Sequence, residues 1–382
     1  MTLQAHKQQP HQDIYSIRVV QTITEFNELE EAWGQLLTET GLKNINLEHL
    51  WLKTFLTHFP PESLCVILVE NAAKQLVAAA PMKIDKPVSG LAQRTLRCLE
   101  FIGATPCVYE WMQILIRPGE DEERVITYIA KTMAELPGWD VLNLQFLQDR
   151  KQLDILFNTL DVVTENSQIT QPMSISHLAL PNSVEEYDKT GKKKSFRRFV
   201  KKGYNRLATD YDQATPTLEI TTEPSAELDR FFEQHIAYWK SQGGKSDFVR
   251  YPDLKAFYKD LLINYGHTSQ KNGVMFSILQ IQGQPMSYQI GYWSGISYMG
   301  HIASYMDGFQ RYSPGVLHYE ELIHEIIRRK GSLVEFGRGD DAYKSQWTQT
   351  KTPLWSLLGF RSPVAKILWQ TDECLRSLLR RG

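Results

Sequence analysis

Hydrophobic and polar positions in the first half of the chain follow the two periods that distinguish strands from helices. The β-branched run Tyr15–Gln21 predicts a strand, and Phe26, Trp33 and Leu36 then recur at helical spacing. The remaining predicted elements are a helix over 47–58, strands over 64–69, 76–84 and 95–102, a helix over 122–136 and a strand over 141–146. The order of elements is therefore β-α-α-β-β-β-α-β.

The second half of the chain repeats this order. Its predicted elements are a strand over 218–221, helices over 226–240 and 252–265, strands over 274–281, 286–293 and 298–304, a helix over 315–330 and a strand over 332–336. In both halves three antiparallel strands precede a helical crossover to another strand. We therefore predict an internal duplication and an α/β (α+β) fold. Each of its two tandem domains is a mixed, mostly antiparallel sheet flanked by helices.

The domain limits follow from the breaks in this pattern. A loose, polar and proline-containing stretch, over 168–182, separates the two copies. We predict a flexible N-terminal tail over 1–14, a first domain over 15–175, a second domain over 176–361 that carries the active site, and a C-terminal amphipathic helix over 362–382.

The composition excludes several classes of protein. Among 382 residues, Lys and Arg total 42 and Asp and Glu total 44, so the net charge of -2 gives no global attraction to nucleic acid or to an anionic membrane. The 4 cysteines lack the spacing of a zinc or redox site. No apolar run reaches the roughly 18 residues of a membrane span. We predict a cytoplasmic protein with no metal and no specific nucleic-acid partner.

Short motifs near the C-terminus indicate a family. They are Ser304–Asp307, Tyr312–Gly315, the FGRGD of 336–340 and the YKxxW of 343–347, in that order. Together with Trp239 and Phe248 they resemble the C-terminal motifs of the CelD/BcsL-type, GNAT acetyltransferase-like family. The resemblance implies two tandem GNAT-like domains, similar also to the Fem peptidyltransferases, and transfer of an acyl group to an amine or hydroxyl.

The loop before the predicted helix at 315 is the candidate donor site. The resemblance implies acetyl-CoA or another acyl-CoA as co-substrate, although Gln310–Val316 has one glycine where simple GNAT enzymes have the pattern Q/R-x-x-G-x-G/A. Free backbone N–H groups and the positive helix end can hold a pyrophosphate, with Arg311 adding charge. The cofactor-binding candidates are Arg311, Ser313, Gly315 and Val316. The alternative is that Ser313 only caps the helix.

Three residues are candidates for the chemistry. Asp307 follows a predicted strand and is the expected general base, or else a solvated turn residue. The resemblance implies that Tyr343 protonates the departing thiolate, and Lys344 stabilises an oxyanion or an acceptor phosphate. The histidines His301 and His318 are expected to be packed or on the surface. The substrate-binding candidates are Tyr305, Arg338, Asp340, Trp347, Trp239 and Arg198, with Tyr109, Glu110 and Trp111 of the first half lining an acceptor groove.

The segment 191–207 concentrates positive charge, with eight Lys and Arg and no acid. Its apolar residues recur every three or four positions, which predicts an amphipathic helix. The opposite face would carry Lys194, Arg197, Arg198, Lys201 and Lys202. That face is either solvated, or binds a phosphorylated substrate, an anionic membrane or RNA. The C-terminal helix is expected to dock on the core rather than on a membrane.

The sequence thus predicts an acyltransferase that moves an acyl group, acetyl from acyl-CoA, to an amine or hydroxyl acceptor. The acceptor would be a small molecule, a glycan or a peptide. The family resemblance associates it with cell-envelope or exopolysaccharide biosynthesis. The alternatives are a Fem-like aminoacyl transferase and a non-catalytic binding or assembly protein that keeps the GNAT fold. No transmembrane segment is expected, whereas peripheral membrane contact is compatible with the sequence.

Overall fold

The structure is a computed structural model that describes residues 14–86, 95–161, 164–266 and 272–379. The predicted N-terminal tail lies outside these residues except for its last position. The strands are β1 (Tyr15–Val20), β2 (Ser63–Leu64), β3 (Val66–Asn71), β4 (Leu76–Ala80), β5 (Met82–Asp85), β6 (Cys98–Phe101), β7 (Leu115–Ile116), β8 (Val141–Leu147), β9 (Glu165–Ala179), β10 (Thr217–Thr221), β11 (Gly273–Ile281), β12 (Gln284–Trp293), β13 (Ser297–Tyr305), β14 (Leu333–Arg338) and β15 (Lys351–Phe360).

Helices flank these strands in both halves. They are α1 (Ile23–Asn27), α2 (Glu30–Thr40), α3 (His49–His58), α4 (Glu122–Glu135), α5 (Arg150–Leu160), α6 (Val184–Thr190), α7 (Lys194–Asp210), α8 (Ala226–Ser241), α9 (Asp247–Arg250), α10 (Leu254–Gly266), α11 (Pro314–Arg328), α12 (Lys344–Trp347) and α13 (Pro363–Leu379). None of the described helices is long and apolar enough to cross a bilayer. The α/β class is confirmed. The described residues form six strands between α3 and α4 but three between α10 and α11, so the order of elements is repeated only approximately.

One sheet of 11 strands runs through both halves, in the order β10-β11-β12-β13-β14-β9-β15-β8-β6-β5-β2. A second sheet of the described residues has the order β1-β3-β4-β7. Most neighbours are antiparallel, but β6 pairs with β8, and β13 with β14, in parallel. Each parallel pair is joined by a crossover helix, α4 in the first half and α11 in the second.

The two parallel pairs diverge after a short contact. In the second half β13 and β14 pair only from Ser297 with Leu333 to Met299 with Glu335. In the first half β6 and β8 pair at two positions, and Met112 then bridges to Leu147 of β8. The chain after β6 therefore lies along β8 beyond the end of β6, and it brings the segment 106–110 against the second half.

The prediction that the segment 168–182 is a loose connection is wrong. Most of it is β9, a strand of 15 residues that pairs with β14 on one side and β15 on the other. Because both neighbours are distant in sequence, their hydrogen bonds override the weak local pattern. The expected division between residues 175 and 176 falls inside β9, and the domain limits stay a prediction.

The halves share one hydrophobic core. A single cluster contains Trp51 and Phe55 of α3 together with Phe257 and Leu261 of α10. The rings of Trp51 and Phe257 meet edge to face with centroids 5.8 Å apart. A second cluster lies on the other face of the 11-stranded sheet, under α7 and α11. The predicted C-terminal helix is α13, and Trp369 packs against Phe360.

The predicted basic helix is α7, and its buried side is the expected apolar stripe of Phe196, Val200, Gly203 and Leu207. Phe199, in contrast, is 44% exposed. The guanidinium of Arg197, expected on the free basic face, donates to the carbonyl oxygens of Asp188 and Lys189. The basic face of α7 that makes no contacts within the described part of the protein is therefore narrower than the sequence predicted.

Candidate active site

The gap between β13 and β14 opens into two adjoining cavities. The wide cavity, of about 730 Å³, is bounded by α8, β12, β13 and the start of α11. The narrow cavity, of about 420 Å³, continues from it toward the segment 106–110 of the first half. His301, Tyr319 and Tyr343 belong to the walls of both. Both volumes lie in the range of sites for small molecules.

A β-bulge places His301 at the junction of the cavities. Ile290 of β12 pairs with Ile302, but Gly291 pairs with Gly300, so His301 is the extra residue of β13. Bulges re-aim side chains at the edges of regular pairing. The imidazole stands against the ring of Tyr292, with centroids 5.1 Å apart. The bulge thus turns the histidine toward the first half of the chain.

Glu110, His301 and Tyr258 form a hydrogen-bonded chain. Glu110 Oε1 lies 2.5 Å from His301 Nδ1, and the phenol oxygen of Tyr258 lies 2.7 Å from Nε2. An ionised carboxylate only accepts, so Nδ1 carries the proton and Nε2 accepts from the phenol. Burial raises the pKa of Tyr258, which keeps that phenol protonated.

The Glu110 carboxylate is held in its ionised form. Burial alone would raise its pKa, but the hydrogen bond from His301 and the nearby charge of Arg338 lower it below the usual range. Its second oxygen accepts from the backbone N–H of Arg338 at 2.6 Å. The backbone N–H of Glu110 donates to Asn46 Oδ1 at 3.1 Å. These contacts fix the carboxylate and, through it, the tautomer of His301.

Arg338 connects the end of β14 to the first half. Its guanidinium donates to the sulfur of Cys107 at 2.7 Å and to the carbonyl of the same residue at 3.1 Å, and it lies over the ring of Phe146. Burial opposes the charge, but Cys107 and Glu110 raise the pKa of Arg338. Burial also raises the pKa of the Cys107 thiol. Arg338 lies in the wall of the narrow cavity, and its expected role toward substrate stays a prediction.

The ammonium group of Lys344 is hydrogen-bonded to backbone carbonyl groups. Its ammonium is buried and lies 3.1, 2.8 and 3.1 Å from the carbonyl oxygens of Gly337, Arg338 and Gly339. Asp341 Oδ2 lies 3.1 Å away as well. Four acceptors exceed its three N–H groups. The contacts therefore support a role in holding the turn after β14, whereas the predicted oxyanion contact would require a free N–H.

Lys344 lines the narrow cavity, and three aromatic candidates also reach the cavities. Tyr343 and Trp239 line both, and Tyr305 lines the wide one. Burial, with a smaller contribution from Asp341, raises the pKa of Tyr343 to about 12, so its phenol is protonated at neutral pH. Tyr343 remains the candidate acid for a leaving thiolate.

The start of α11 forms one end of the wide cavity through Ser313, Gly315 and Val316. Ser313 occupies the N-cap position but makes no side-chain cap bond, because its backbone is left-handed with φ 58°. Ser313 therefore does not form the side-chain hydrogen bond expected of a serine cap. Arg311 is exposed, pairs with Asp210 at 2.8 Å and is not part of the cavity wall.

Four further candidates lie outside both cavity walls. Asp307 is exposed and accepts from the side chain of Gln310 at 3.2 Å. Asp340 pairs with Lys351. Trp347 is buried against Phe196 and Phe336 in the second core cluster, and Arg198 is exposed on α7. The structure tests none of their predicted roles, but it brings none of them to the His301 cluster.

The sequence reasoning missed His301 and Tyr258 as site residues, but it named Glu110 for the acceptor groove. His318 matches its expectation as a packed histidine. Its two ring nitrogens lie 2.8 Å from the hydroxyls of Ser277 and Ser287, and burial lowers its pKa to about 3. His318 is therefore neutral at physiological pH.

One further cluster has metal-ligating groups. Ligand atoms of Asp188, Glu320 and His324 lie within 4.8 Å of one another. The ammonium of Lys192 pairs with Glu320 and lies 3.3 Å from Asp188. A buried cation thus already compensates these carboxylates, which fits an ion-pair cluster better than a metal site.

Comparison with known proteins agrees with the fold. Residues 194–345 match the family model described as Acetyltransferase (GNAT) domain. The whole structure is similar to that of FemX, with a TM-score of 0.56, 10% identity, and coverage of 94% of this chain and 100% of that chain. The chain has a tandem GNAT fold. No curated protein matches it in sequence.

Two other solved structures share this tandem GNAT fold. The tandem GNAT protein from the clavulanic acid biosynthesis pathway has a TM-score of 0.52 and 10% identity, with 91% of this chain and 99% of that chain covered. A conserved protein of unknown function from Bacteroides thetaiotaomicron has a TM-score of 0.52 and 11% identity, with 90% of this chain and 100% of that chain covered. At these identities the likeness concerns the fold alone. The predicted GNAT fold is confirmed, and the CelD/BcsL-type resemblance stays a proposal.

Proposed function

We propose that the chain is an acyltransferase in which His301 is the general base. The observation that carries the proposal is the buried Glu110–His301 pair at the junction of two cavities, in a segment that matches a GNAT acetyltransferase domain. A histidine held in one tautomer by an ionised carboxylate is suited to accept a proton at its other nitrogen.

The wide cavity fits an activated acyl donor. It is long enough to extend from His301 to the start of α11, where backbone N–H groups and the helix dipole favour a phosphate. Gly315 leaves open space at that helix start. The acceptor would enter through the narrow cavity, whose wall contains Asp247 and Trp239.

The reaction then follows from the positions of the groups. The acceptor amine or hydroxyl displaces the Tyr258 hydrogen bond at Nε2 and passes its proton to His301 as it attacks the acyl carbon. Glu110 stabilises the imidazolium that forms. The tetrahedral intermediate expels the donor's leaving group, and the phenol of Tyr343 supplies a proton to a thiolate. The donor group proposed is acetyl from acetyl-CoA, and the acceptor a small molecule, glycan or peptide of the cell envelope or of an exopolysaccharide, within the cytoplasm.

Aminoacyl transfer is the second candidate. The loop Gln310–Val316 has one glycine, Ser313 adopts a left-handed backbone in it, and Arg311 is paired with Asp210. These features favour a donor that does not depend on the usual coenzyme A loop. Under either candidate, the predicted chemistry at His301 is the same.

Substitution of His301 tests the proposal. Purified chain is screened by thermal shift against acetyl-CoA, longer acyl-CoAs and aminoacyl donors, and transfer is measured with a panel of amines and sugars. We expect His301→Gln to lower kcat by about 10²- to 10⁴-fold while the stabilising donor still binds. The control is His58→Gln, because His58 also pairs with a carboxylate, Asp260, at 2.8 Å but lies outside both cavity walls. A His301→Gln variant as active as the His58→Gln variant would remove His301 from the mechanism.

A further inference from the structure

The free face of α7 is the strongest concentration of unpaired charge on the described molecule that the proposed reaction does not use. Lys194, Arg198, Lys201 and Lys202 are exposed. In the described part of the chain, none of these four has a side-chain hydrogen bond or ion pair with another residue, whereas Arg197 and Arg206 donate to backbone carbonyls. We name these four residues the α7 basic face.

The α7 basic face points straight away from the core. At 100° per residue, Lys194, Arg198 and Lys201 lie opposite the buried stripe formed by Phe196, Val200, Gly203 and Leu207. Such a face is convex, and none of its residues lines the wide or narrow cavity. A small phosphorylated ligand would be bound from one side only, so the shape favours a large and flat partner.

We propose that the α7 basic face docks the protein on an anionic lipid surface. Four to eight Lys and Arg clustered on an amphipathic helix are typical of segments that bind acidic headgroups. Phe199, 44% exposed on the flank of the same helix, adds an aromatic ring of the kind found at membrane interfaces. Single-stranded RNA is bound in charged grooves with aromatic platforms, and the convex α7 basic face has neither a groove nor a ring at its centre.

Docking through α7 would also orient the site. Arg206 donates to the carbonyl of Arg311 at 2.8 Å, and Gly203 packs against the carbonyl of Tyr312. Both contacts are to the segment that leads into α11 and the wide cavity. The end of the cavity next to α7 would therefore be held close to the lipid surface, where an acceptor or donor with a lipid anchor is concentrated. The docking itself does not depend on the proposed acyl transfer.

Vesicle sedimentation with the full chain tests this proposal. The vesicles are pure phosphatidylcholine, or phosphatidylcholine with about 30% phosphatidylglycerol, in about 0.1 M and about 0.5 M salt. We expect binding only to the anionic vesicles at the lower salt. One variant carries Lys194→Gln, Arg198→Gln, Lys201→Gln and Lys202→Gln together. Each cation contributes about fivefold to partitioning onto the anionic vesicles. The binding of this fourfold variant to them should therefore weaken more than about a hundredfold.

The matched control removes the same charge from other surfaces, with Lys43→Gln, Lys53→Gln, Lys131→Gln and Lys255→Gln in one chain. It should retain most of the vesicle binding, and both variants should keep the melting temperature of the unchanged protein. Equal binding by the two variants would overturn the proposal. So would binding of a mixed-sequence RNA in a mobility-shift assay by protein that fails to bind the anionic vesicles, because the face would then serve nucleic acid.

Discussion

Glu110 belongs to the first half of the chain, but its carboxylate serves a histidine of the second half. Buried at 2% exposure, it would be protonated without compensating donors. The N–H groups of His301 and Arg338 supply them. A single residue therefore couples the position of the segment 106–110 to the tautomer of the proposed base.

The substitution Glu110→Gln removes the negative charge of this side chain but keeps its shape. The amide keeps the volume but no longer stabilises an imidazolium, so we expect kcat to fall by about 10²-fold or more. Because the folded-state pKa of Glu110 lies below its ordinary value of 4.5, ionised Glu110 stabilises the protein above that pH. This advantage over the variant is lost as the pH falls through the lower, folded-state pKa.

Thermal melts of both proteins between pH 3 and 7, a range spanning about four units around the ordinary carboxyl pKa, measure this effect. The difference in melting temperature should be largest near neutral pH and shrink in acid. Glu39→Gln serves as the control, because Glu39 pairs with Arg117 at the surface and should give a small difference throughout. A pH-independent gap for Glu110→Gln would contradict an ionised carboxylate.

Lys344→Met tests the structural role of the buried ammonium. Three backbone carbonyls would lose a charged donor, so the free energy of unfolding should fall by about 2–4 kcal/mol. Lys351→Met removes the exposed partner of Asp340 and should cost less than about 1 kcal/mol. Urea denaturation measures both. A Lys344→Met protein that is fully stable but inactive would restore Lys344 to the catalytic candidates.

At the scale of elements, the contact between α7 and the start of α11 is controlled by a glycine. Gly203 lies in the interior of α7, and a Cβ there would be 2.9 Å from the carbonyl oxygen of Tyr312 and 3.2 Å from Leu317. A side chain at this position would push α7 away from the segment that borders the wide cavity. The close approach of helix and loop thus requires the absence of a side chain.

Gly203→Ala should therefore destabilise the protein despite the better helix propensity of alanine. The control is Gly34→Ala in α2, where no atom lies within 4 Å of the added Cβ. We expect the control to gain about 0.5–1 kcal/mol and Gly203→Ala to lose stability and to raise the KM for the donor. Denaturation and donor titration measure the two effects. Equal stabilisation of both variants would mean that the loop yields without cost.

The sequence predicted those elements whose periodicity is strong within one segment. β13, α7 and α11 lie within a few residues of their expected limits because an apolar run or a helical period marks each of them within its own segment. β9 and β15 escaped prediction because their stability comes from each other and from β8 and β14, not from local pattern. Long-range pairing of this kind leaves little trace in a short window.

The sequence motifs led to residues in the cavity wall but not to the hydrogen-bonded cluster around His301. Motif residues such as Ser313 and Tyr343 lie in the cavity wall, and their predicted roles stay predictions. Glu110 and His301 are 191 residues apart, and Tyr258 and His301 are 43 apart, so no motif spacing links them. The bulge that aims His301 is a matter of pairing register, which hydrophobic period does not encode.

At the scale of the whole molecule, the halves are joined by the sheet as well as by the site. β15, near the C-terminus, pairs with β8 of the first half, and β9 pairs with both β14 and β15. The larger core cluster contains residues of both halves. An ordinary interface between two domains is smaller and more polar, and it allows independent motion. Here the two GNAT-like units should behave as one cooperative unit.

Unfolding should therefore occur in a single transition for both halves. Pulse-labelled hydrogen exchange at increasing urea reports on peptides from β8 and from α11 separately, and we expect both to lose protection at the same urea concentration. Leu142→Ala in β8 and Leu322→Ala in α11 each empty a fully buried position and should cost about 2–5 kcal/mol. If the halves are coupled, each variant shifts the midpoint of both peptides, because loss of packing in one half destabilises the strands it shares with the other. A shift confined to the substituted half would show that the continuous sheet does not couple them.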